Sequence, residues 1–310
     1  MPTRQERIEG GLLGLLVGDA LGVPYEFQPP ARIPAAPEIE FEPPAGYPRA
    51  HAGVAPGTYS DDGAQALCLL ASLLGCGKLD PDDLARRLLD WYETGYLAVD
   101  GHVYDVGIQT SQAFRALKAG TPALEAGPAD ERANGNGSLM RVLPLALWHK
   151  GTDAELVEDA CTQSVITHGH VRSQLCCALY CLWARRTLDG VSDPWPAAVA
   201  ALREILADDP EGLDELDASI RPDDPAEPTG RGYVVDSLLS ARWASTAGTF
   251  EQVVKAAVAL GHDTDTTAAV AGGIAGLRDG RAAIPARWRA ALRGREHFGP
   301  LLEALLAHAG

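Results

Sequence analysis

The sequence has little positive charge, and it lacks the paired cysteines and histidines that bind zinc. It contains 26 lysine and arginine residues against 42 aspartate and glutamate residues, a formal net charge of −16. Such a surface repels polyanions on average, so we expect no nucleic-acid partner. The six cysteines form no C-x-x-C pair and have no suitably spaced histidine. We expect them to be core thiols in a reducing compartment.

The N-terminal region lacks the basic start, apolar middle and small-residue cleavage site of a secretory signal. Its GGLLGLLVGDALG run, residues 10–22, is too short and too rich in glycine to cross a bilayer. We therefore expect a cytoplasmic protein with no membrane partner.

Sustained alternation of β-branched and polar residues, the usual signal of a strand, is also missing. Apolar residues instead recur every three or four positions, which predicts an all-α fold. The predicted helices cover 6–17, 63–74, 82–92, 107–118, 139–149, 153–165, 171–188, 196–207, 232–245, 250–260, 266–277, 286–293 and 299–308.

Two segments break the helical pattern, the proline-rich residues 28–60 and the acidic residues 208–232. A long irregular segment in a compact domain is usually a lid, a binding loop or disordered. The first of them leads from one acidic cluster to another. We therefore expect a single domain, 1–310, that carries a mobile Pro-rich flap over about residues 28–57.

The stretch GHDTDTTAAVAGGIAGL, residues 261–277, places acidic and hydroxyl side chains at the start of a helix. Asp263 and Asp265 are two apart, so an extended loop points both side chains the same way, and Thr266 then opens the helix. Together they offer three hard oxygen ligands. The alternative is a simple cap, in which Asp and Thr bind the free N–H groups of the helix.

The stretch GTYSDDGAQALCLL, residues 57–70, repeats this pattern with Ser60, Asp61 and Asp62. If the two helix starts converge, four carboxylates repel one another unless they are protonated or bridged by cations. Two Mg²⁺ ions would balance the four charges, and hard cations of this kind prefer oxygen ligands. Ligands this similar leave Mn²⁺ possible.

Two other motifs add candidates. GDALGVPYEF contributes Asp19, which could hold a loop, and Glu26, which is either a ligand and proton acceptor or a solvated surface residue. The run NGNGS before a helix offers unblocked N–H groups that could hold a phosphate, although Asn-Gly runs are usually only turns. Its residues are Asn134, Gly135, Asn136, Gly137 and Ser138.

These motifs, together with VYDVGIQTSQAF, THGH and GYVVDSLLSARWA, resemble the ADP-ribosylglycohydrolase family in order along residues 6–280. The resemblance implies a compact, mostly orthogonal helical bundle with two Mg²⁺ ions in a cleft. It assigns Ser60, Asp61 and Asp62 to one metal, Asp263 and Thr266 to the other, and Asp265 to both.

The same resemblance implies substrate contacts. Residues 134–138 match the loop that receives the diphosphate, and Glu26 matches a glutamate on the flexible loop. The resemblance places four further residues near the ligand: Asp105, Gly107, His168 and Tyr233.

The implied reaction is hydrolysis of the glycosidic bond at the distal ribose of ADP-ribosylated protein or another ADP-ribose conjugate, with ADP-ribose as product. Glu26 and Asp61 are the candidate acid and base. The sequence leaves open whether the linkage is to arginine, to serine, to another ADP-ribose or to a small molecule. Two other functions stay open: a non-catalytic ADP-ribose binder or structural protein on the same fold, and a dimetal phosphoester hydrolase.

Three positions depart from the family pattern. Ser60 stands where threonine is common but keeps a hydroxyl, and Gly63 replaces a second threonine. His262 occupies a place commonly held by a small or amide residue. It either crowds the metals or faces solvent.

Overall fold

The computed structural model describes residues 1–310 and contains fourteen α-helices and no β-sheet, which confirms the all-α prediction. The helices are α1 (Arg4–Gly22), α2 (Asp61–Cys76), α3 (Pro81–Thr94), α4 (Ile108–Lys118), α5 (Leu143–Trp148), α6 (Asp153–Val165), α7 (Val171–Leu188), α8 (Pro194–Ile205), α9 (Pro210–Asp214), α10 (Val234–Ala244), α11 (Phe250–Ala259), α12 (Thr264–Asp279), α13 (Ala286–Ala291) and α14 (Arg295–Ala309).

The helix that periodicity missed is α9, which a π-helical turn over Glu215–Ile220 continues. Both lie in the acidic segment predicted to be irregular. Leu216 and Ile220 are fully buried there, but they are too few among acidic residues to produce a visible helical period. Asp209 caps the first turn by accepting a hydrogen bond from the backbone N–H of Gly212.

The antiparallel pair α1 and α12 forms the centre of the fold, and glycines set how closely the two helices pack. Gly10, Gly14 and Gly18 recur every fourth residue and form one row on α1. A Cβ at Gly18 would lie 2.0 Å from the carbonyl oxygen of Ala268 on α12. Because backbone meets backbone, no side chain can move aside to make room. The row leads to Gly22, beside Asp265, so this packing fixes the start of α12 against the end of α1.

The apolar core is one contiguous cluster of 81 buried residues. The segment Arg4–Tyr25 is long and apolar enough to cross a membrane, yet 94% of its most apolar window is buried inside the protein, as in a core helix. All six cysteines are free thiols. Four are buried in the core as expected, whereas Cys161 is half-buried and Cys76 is exposed, so the core prediction is wrong for Cys76.

The Pro-rich flap contains only two short 3₁₀ turns, Pro30–Arg32 and Ala36–Glu38. Its middle is tied to the helical body through Glu40, which accepts hydrogen bonds from Trp288 Nε1 at 2.5 Å and Arg287 Nη2 at 2.8 Å. The contacts of Glu40 thus attach the middle of the flap to the helical body. The mobility of the flap stays a prediction.

Candidate active site

The N-terminus of α2 is capped from two directions. Ser60 Oγ accepts a hydrogen bond from the N–H of Asp62, as a helix cap does. Asp19, on the last turns of α1, accepts hydrogen bonds from the N–H groups of Ser60 at 2.9 Å and Gly63 at 2.8 Å. Asp19 thus holds the loop, and burial raises its pKa to about 7 against those hydrogen bonds.

The second acidic cluster differs locally from the sequence prediction. The helix begins at Thr264, two residues earlier than expected, with Asp263 as its N-terminal flanking residue. Asp265 therefore lies in the first helical turn, and the predicted extended loop is wrong. Asp265 Oδ1 accepts a hydrogen bond from the N–H of Thr266 at 2.9 Å, which leaves Oδ2 free.

The N-terminal ends of α2 and α12 converge. Thr266 Oγ1 donates a hydrogen bond to Asp62 Oδ2 at 3.3 Å, across 204 residues of sequence. Asp62 Oδ1 and Asp265 Oδ2 are buried and have no hydrogen-bond partner. Buried carboxylate oxygens are normally satisfied, so this pair fits a cation.

Glu26 is buried, with 4% of its surface exposed, so the alternative of a solvated surface residue is wrong. Its Oε2 lies 2.7 Å from Nε2 of His51, which belongs to the Pro-rich flap. Burial and the nearby carboxylates, Asp105 first among them, raise the pKa of Glu26 to about 11. The His51 ring packs against Tyr104, with ring centroids 5.0 Å apart.

The other carboxylates show the same electrostatic pattern. Burial, followed by repulsion from neighbouring acids, raises the pKa values of Asp61, Asp62 and Asp265 well above the usual range. Burial and the charge of Asp263 raise the pKa of Asp105 to about 6. Cations would relieve this repulsion.

Two groups of side chains have the spacing of metal ligands. Ligand atoms of Glu26, Asp263 and Asp265 all lie within 4.8 Å of one another, and so do those of Glu26, His51 and Asp105. The first group contains only oxygen ligands, which suits a hard divalent cation. The donor set and the two unpartnered oxygens therefore both fit a metal.

Glu26, Asp105 and Asp263 line one cleft of about 220 Å³, whereas His51, Ser60, Asp62 and Asp265 do not reach it. Ten of the predicted site residues reach it, namely Glu26, Asp61, Asp105, Gly107, Gly135, Asn136, Gly137, His168, Asp263 and Thr266. Five residues that also line it were not predicted: Ile108, Gln109, Thr110, Met140 and Gly232. Three of them, Ile108, Gln109 and Thr110, begin α4 within the VYDVGIQTSQAF motif, but none is an acidic residue or a glycine that would have marked it as a candidate.

The NGNGS turn is divided between the cleft and the core. Asn136 Nδ2 donates hydrogen bonds to Asp263 Oδ2 and Ser237 Oγ, both at 2.8 Å, which ties the turn to the acidic cluster. Asn134 and Ser138 do not line the cleft. Asn134 accepts a hydrogen bond from Ser173, and Ser138 Oγ lies 2.8 Å from Ser164 Oγ.

Gly137 leaves room for the imidazole ring of His168 at the cleft. A Cβ at Gly137 would lie 2.9 Å from Cε1 of His168 and 3.1 Å from Oγ1 of Thr110. Burial lowers the pKa of His168 to about 3, so the ring is neutral at physiological pH. Nδ1 of the ring lies 2.9 Å from the hydroxyl of Thr167.

Tyr233 lies just outside the cleft, beside the turn. Its backbone forms an isolated bridge with Gly135, and the residue is 41% exposed. The Tyr233 hydroxyl accepts a hydrogen bond from Arg172 at 3.1 Å. The ring is thus held next to the turn without lining the acidic cleft itself.

The departure from the family pattern at Gly63 has a structural reason. At Gly63, an added Cβ would lie 2.8 Å from Leu16 and from the Tyr59 ring, so a threonine does not fit, and Asp19 supplies the cap. His262 lines an opening of about 480 Å³ beside Glu26 and Asp263. It is half-exposed there, with the positive φ of 61° that its turn requires.

The fold and the site define an all-helical protein whose acidic cleft suits cations and whose glycine-rich turn borders the same space. The chain belongs to the ADP-ribosylglycohydrolase family, because the sequence profile of that family matches residues 1–310. Family membership supports hydrolysis of ADP-ribose linkages on proteins.

Similar proteins cover nearly the whole chain. The ADP-ribosylarginine hydrolase Tri1 of Pseudomonas putida is 30% identical, over 98% of this chain and 79% of its own length. The ADP-ribosyl-[dinitrogen reductase] glycohydrolase of Rhodospirillum rubrum is 29% identical, over 100% and 98%. A solved structure described as an ADP-ribosylglycohydrolase-related protein complex aligns with a TM-score of 0.79 at 33% identity, over 99% of both chains.

Proposed function

We propose that the protein is a Mg²⁺-dependent hydrolase that cleaves the glycosidic bond between ADP-ribose and a modified protein side chain. The observation that carries this proposal is the convergence of two helix starts. Asp62 of α2 and Asp265 of α12 each bring an unpartnered buried oxygen to the acidic cluster beside one cleft. A binder without catalytic activity has no need for such a costly group of carboxylates.

In this proposal the two cations are divided between the two helix starts. Ser60, Asp61 and Asp62 would hold one, Asp263 and Thr266 would hold the other, and Asp265 would contribute to both. Bound divalent cations would orient the hydroxyls of the ribose and lower the pKa of a bound water. Mn²⁺ could replace Mg²⁺, because the ligands are all oxygens.

The protein's own residues then position the substrate. Gly135, Asn136 and Gly137 line the cleft, and backbone N–H groups of this turn would receive the diphosphate. The Tyr233 ring provides an exposed surface next to that turn for the adenosine end. Asp105, Gly107 and the neutral ring of His168 complete the wall around the ribose.

Glu26 and Asp61 are the candidates for proton transfer, because both carboxylates reach the cleft. Burial and the neighbouring carboxylates raise the pKa of Glu26 in the metal-free protein. The charge of bound cations would lower that pKa again and leave the carboxylate ionised as a proton acceptor. Its contact with His51 holds the carboxylate in place. The negative charges around the ribose would also stabilise the positive charge that develops on its ring.

We also place the protein in the cytoplasm, because six unpaired thiols suit a reducing compartment.

Product analysis tests the bond that is cleaved. ADP-ribosylated peptide is incubated with the protein and Mg²⁺, and the nucleotide products are separated by chromatography. Release of intact ADP-ribose supports the proposal. Release of AMP or inorganic phosphate would instead show phosphoester hydrolysis, and binding without any product would show a non-catalytic binder.

A further inference from the structure

Arg141 is a buried cation that the proposed chemistry does not use. It follows the NGNGS turn, its side chain is 0% exposed, and no carboxylate lies within salt-bridge distance of it. Burying a charge without a partner is costly unless its hydrogen bonds are satisfied. The acceptors of its hydrogen bonds therefore determine where the guanidinium lies.

Neutral oxygens from three parts of the chain surround the guanidinium. Nε donates to Gln163 Oε1 at 2.9 Å and Nη2 donates to the Gln163 carbonyl at 2.8 Å. Nη1 donates to Gln65 Oε1 at 3.1 Å and reaches the carbonyl of Gly137 at 3.5 Å. Arg141 thus joins α2, α6 and the glycine-rich turn.

The contact with Gln65 has a consequence for the cleft. Arginine can only donate hydrogen bonds, so Gln65 must turn its amide oxygen toward Arg141 and its NH₂ group away. That NH₂ group donates to Asp61 Oδ2 at 3.1 Å. Gln65 is fully buried and does not line the cleft, whereas Asp61 does.

We propose that Arg141 and Gln65 are positioning residues that fix the carboxylate of Asp61. Arg141 sets the orientation of the Gln65 amide, and the amide holds Asp61 Oδ2 so that the other oxygen is presented to the cleft. The same guanidinium ties the Asp61 carboxylate to the carbonyl of Gly137, so the acidic wall and the turn keep a constant separation. This inference rests on the proposed function, since it assigns a purpose to Asp61.

A matched pair of variants tests the positioning role. Gln65→Leu removes the link between Arg141 and Asp61. Gln163→Leu also removes a side-chain acceptor of Arg141, at an equally buried site, but leaves the hydrogen bond between Gln65 and Asp61 intact. Both variants lose buried hydrogen bonds, so similar falls in the melting temperature of the metal-free proteins are expected.

Three quantities are measured for each variant: the melting temperature in EDTA, the Mg²⁺ affinity by calorimetry, and kcat and KM for release of ADP-ribose. Residues that orient ligands of a metal typically change affinity or activity about 10- to 100-fold when they are lost. We expect Gln65→Leu to weaken Mg²⁺ binding or lower kcat about 10-fold or more, with a smaller change in KM. Gln163→Leu should stay within about 3-fold of the wild type, well below that range.

If Mg²⁺ affinity and kcat fall equally in the two variants, in proportion to the fall in melting temperature, the proposal is overturned and Arg141 has only a structural role. Arg141→Lys gives a second check, because lysine lacks the planar fork that reaches Gln65 and Gln163 together. This variant should resemble Gln65→Leu, and wild-type values for it would also contradict the proposal. If the wild type releases no ADP-ribose, the proposed function fails, while the Mg²⁺ affinities still decide whether Gln65 positions Asp61.

Discussion

Glu26 makes the stability of the metal-free protein depend on pH in a direction that the structure determines. Its pKa is raised from 4.5 to about 11, so the folded protein keeps a proton that the unfolded chain loses across that range. The contribution of Glu26 to stability is therefore fully present below pH 4.5 and is lost as the pH rises toward 11. The slope is about 1.4 kcal/mol per pH unit for one group.

Glu26→Gln removes this titration and keeps an oxygen that can accept a hydrogen bond from His51. Between pH 6 and 8 the free energy of unfolding of the wild type should fall by up to about 3 kcal/mol more than that of the variant. For a chain of this length, unfolding entropies of about 2 cal/mol/K per residue convert that to a difference of roughly 4 °C in melting temperature.

The assay is thermal unfolding in EDTA at pH 6 and pH 8. Glu303→Gln is the matched control, because Glu303 is exposed and has no ion-pair partner. From pH 6 to pH 8 the melting temperature should fall by the same amount in the wild type and this control, and by less in Glu26→Gln. The same slope in all three proteins would refute the electrostatic account of the cleft.

The same variant bears on catalysis. Glu26→Gln keeps an amide oxygen that can still act as a ligand beside Asp263 and Asp265, so Mg²⁺ binding should stay largely in place. The release of ADP-ribose should slow, because the variant loses a proton acceptor at the cleft. Equal rates for the variant and the wild type would remove Glu26 from the mechanism.

Two further predictions concern metal binding and packing. Asp265→Asn should weaken Mg²⁺ binding and slow turnover, because it removes the charge shared by both proposed cations. The exposed control Asp208→Asn should change neither. Unchanged two-site binding in a calorimetric titration of Asp265→Asn would contradict the assignment. Gly18→Ala places a Cβ 2.0 Å from the carbonyl oxygen of Ala268. The overpacking costs about 3 kcal/mol against a gain of about 1 from helix propensity, so unfolding should show a net loss of about 2 kcal/mol. Gly53→Ala has no atom within 4 Å of its added Cβ and should stay within about 0.5 kcal/mol of the wild type; equal stability of the two glycine variants would contradict the close packing of α1 and α12.

Features that depend on neighbouring residues were predictable from the sequence. Periodicity predicted thirteen of the fourteen helices, because each carries its apolar residues at regular spacing. The acidic starts of α2 and α12 were visible because Ser60 through Asp62 and Asp263 through Thr266 are contiguous. Their approach to each other was only a hypothesis, since it depends on the packing of α1 against α12.

Features that depend on distant contacts could not be predicted in this way. His51 reaches Glu26 from an irregular segment 25 residues away, and no local pattern signals that contact. Asn134 and Ser138 have the residue types of a ligand-binding turn, but tertiary packing directs both away from the cleft. Arg141 looked like an ordinary helix residue until its burial and its hydrogen bond to Gln65 were known.

We propose that the acidic cleft, loaded with cations, hydrolyses an ADP-ribose linkage on protein. The most direct measurement is the release of free ADP-ribose from arginine-linked and serine-linked modified peptides, with Mg²⁺ and then with EDTA. The account predicts that at least one peptide is cleaved and that EDTA abolishes the cleavage. Cleavage that persists in EDTA, or binding of ADP-ribose with neither peptide cleaved, would contradict it.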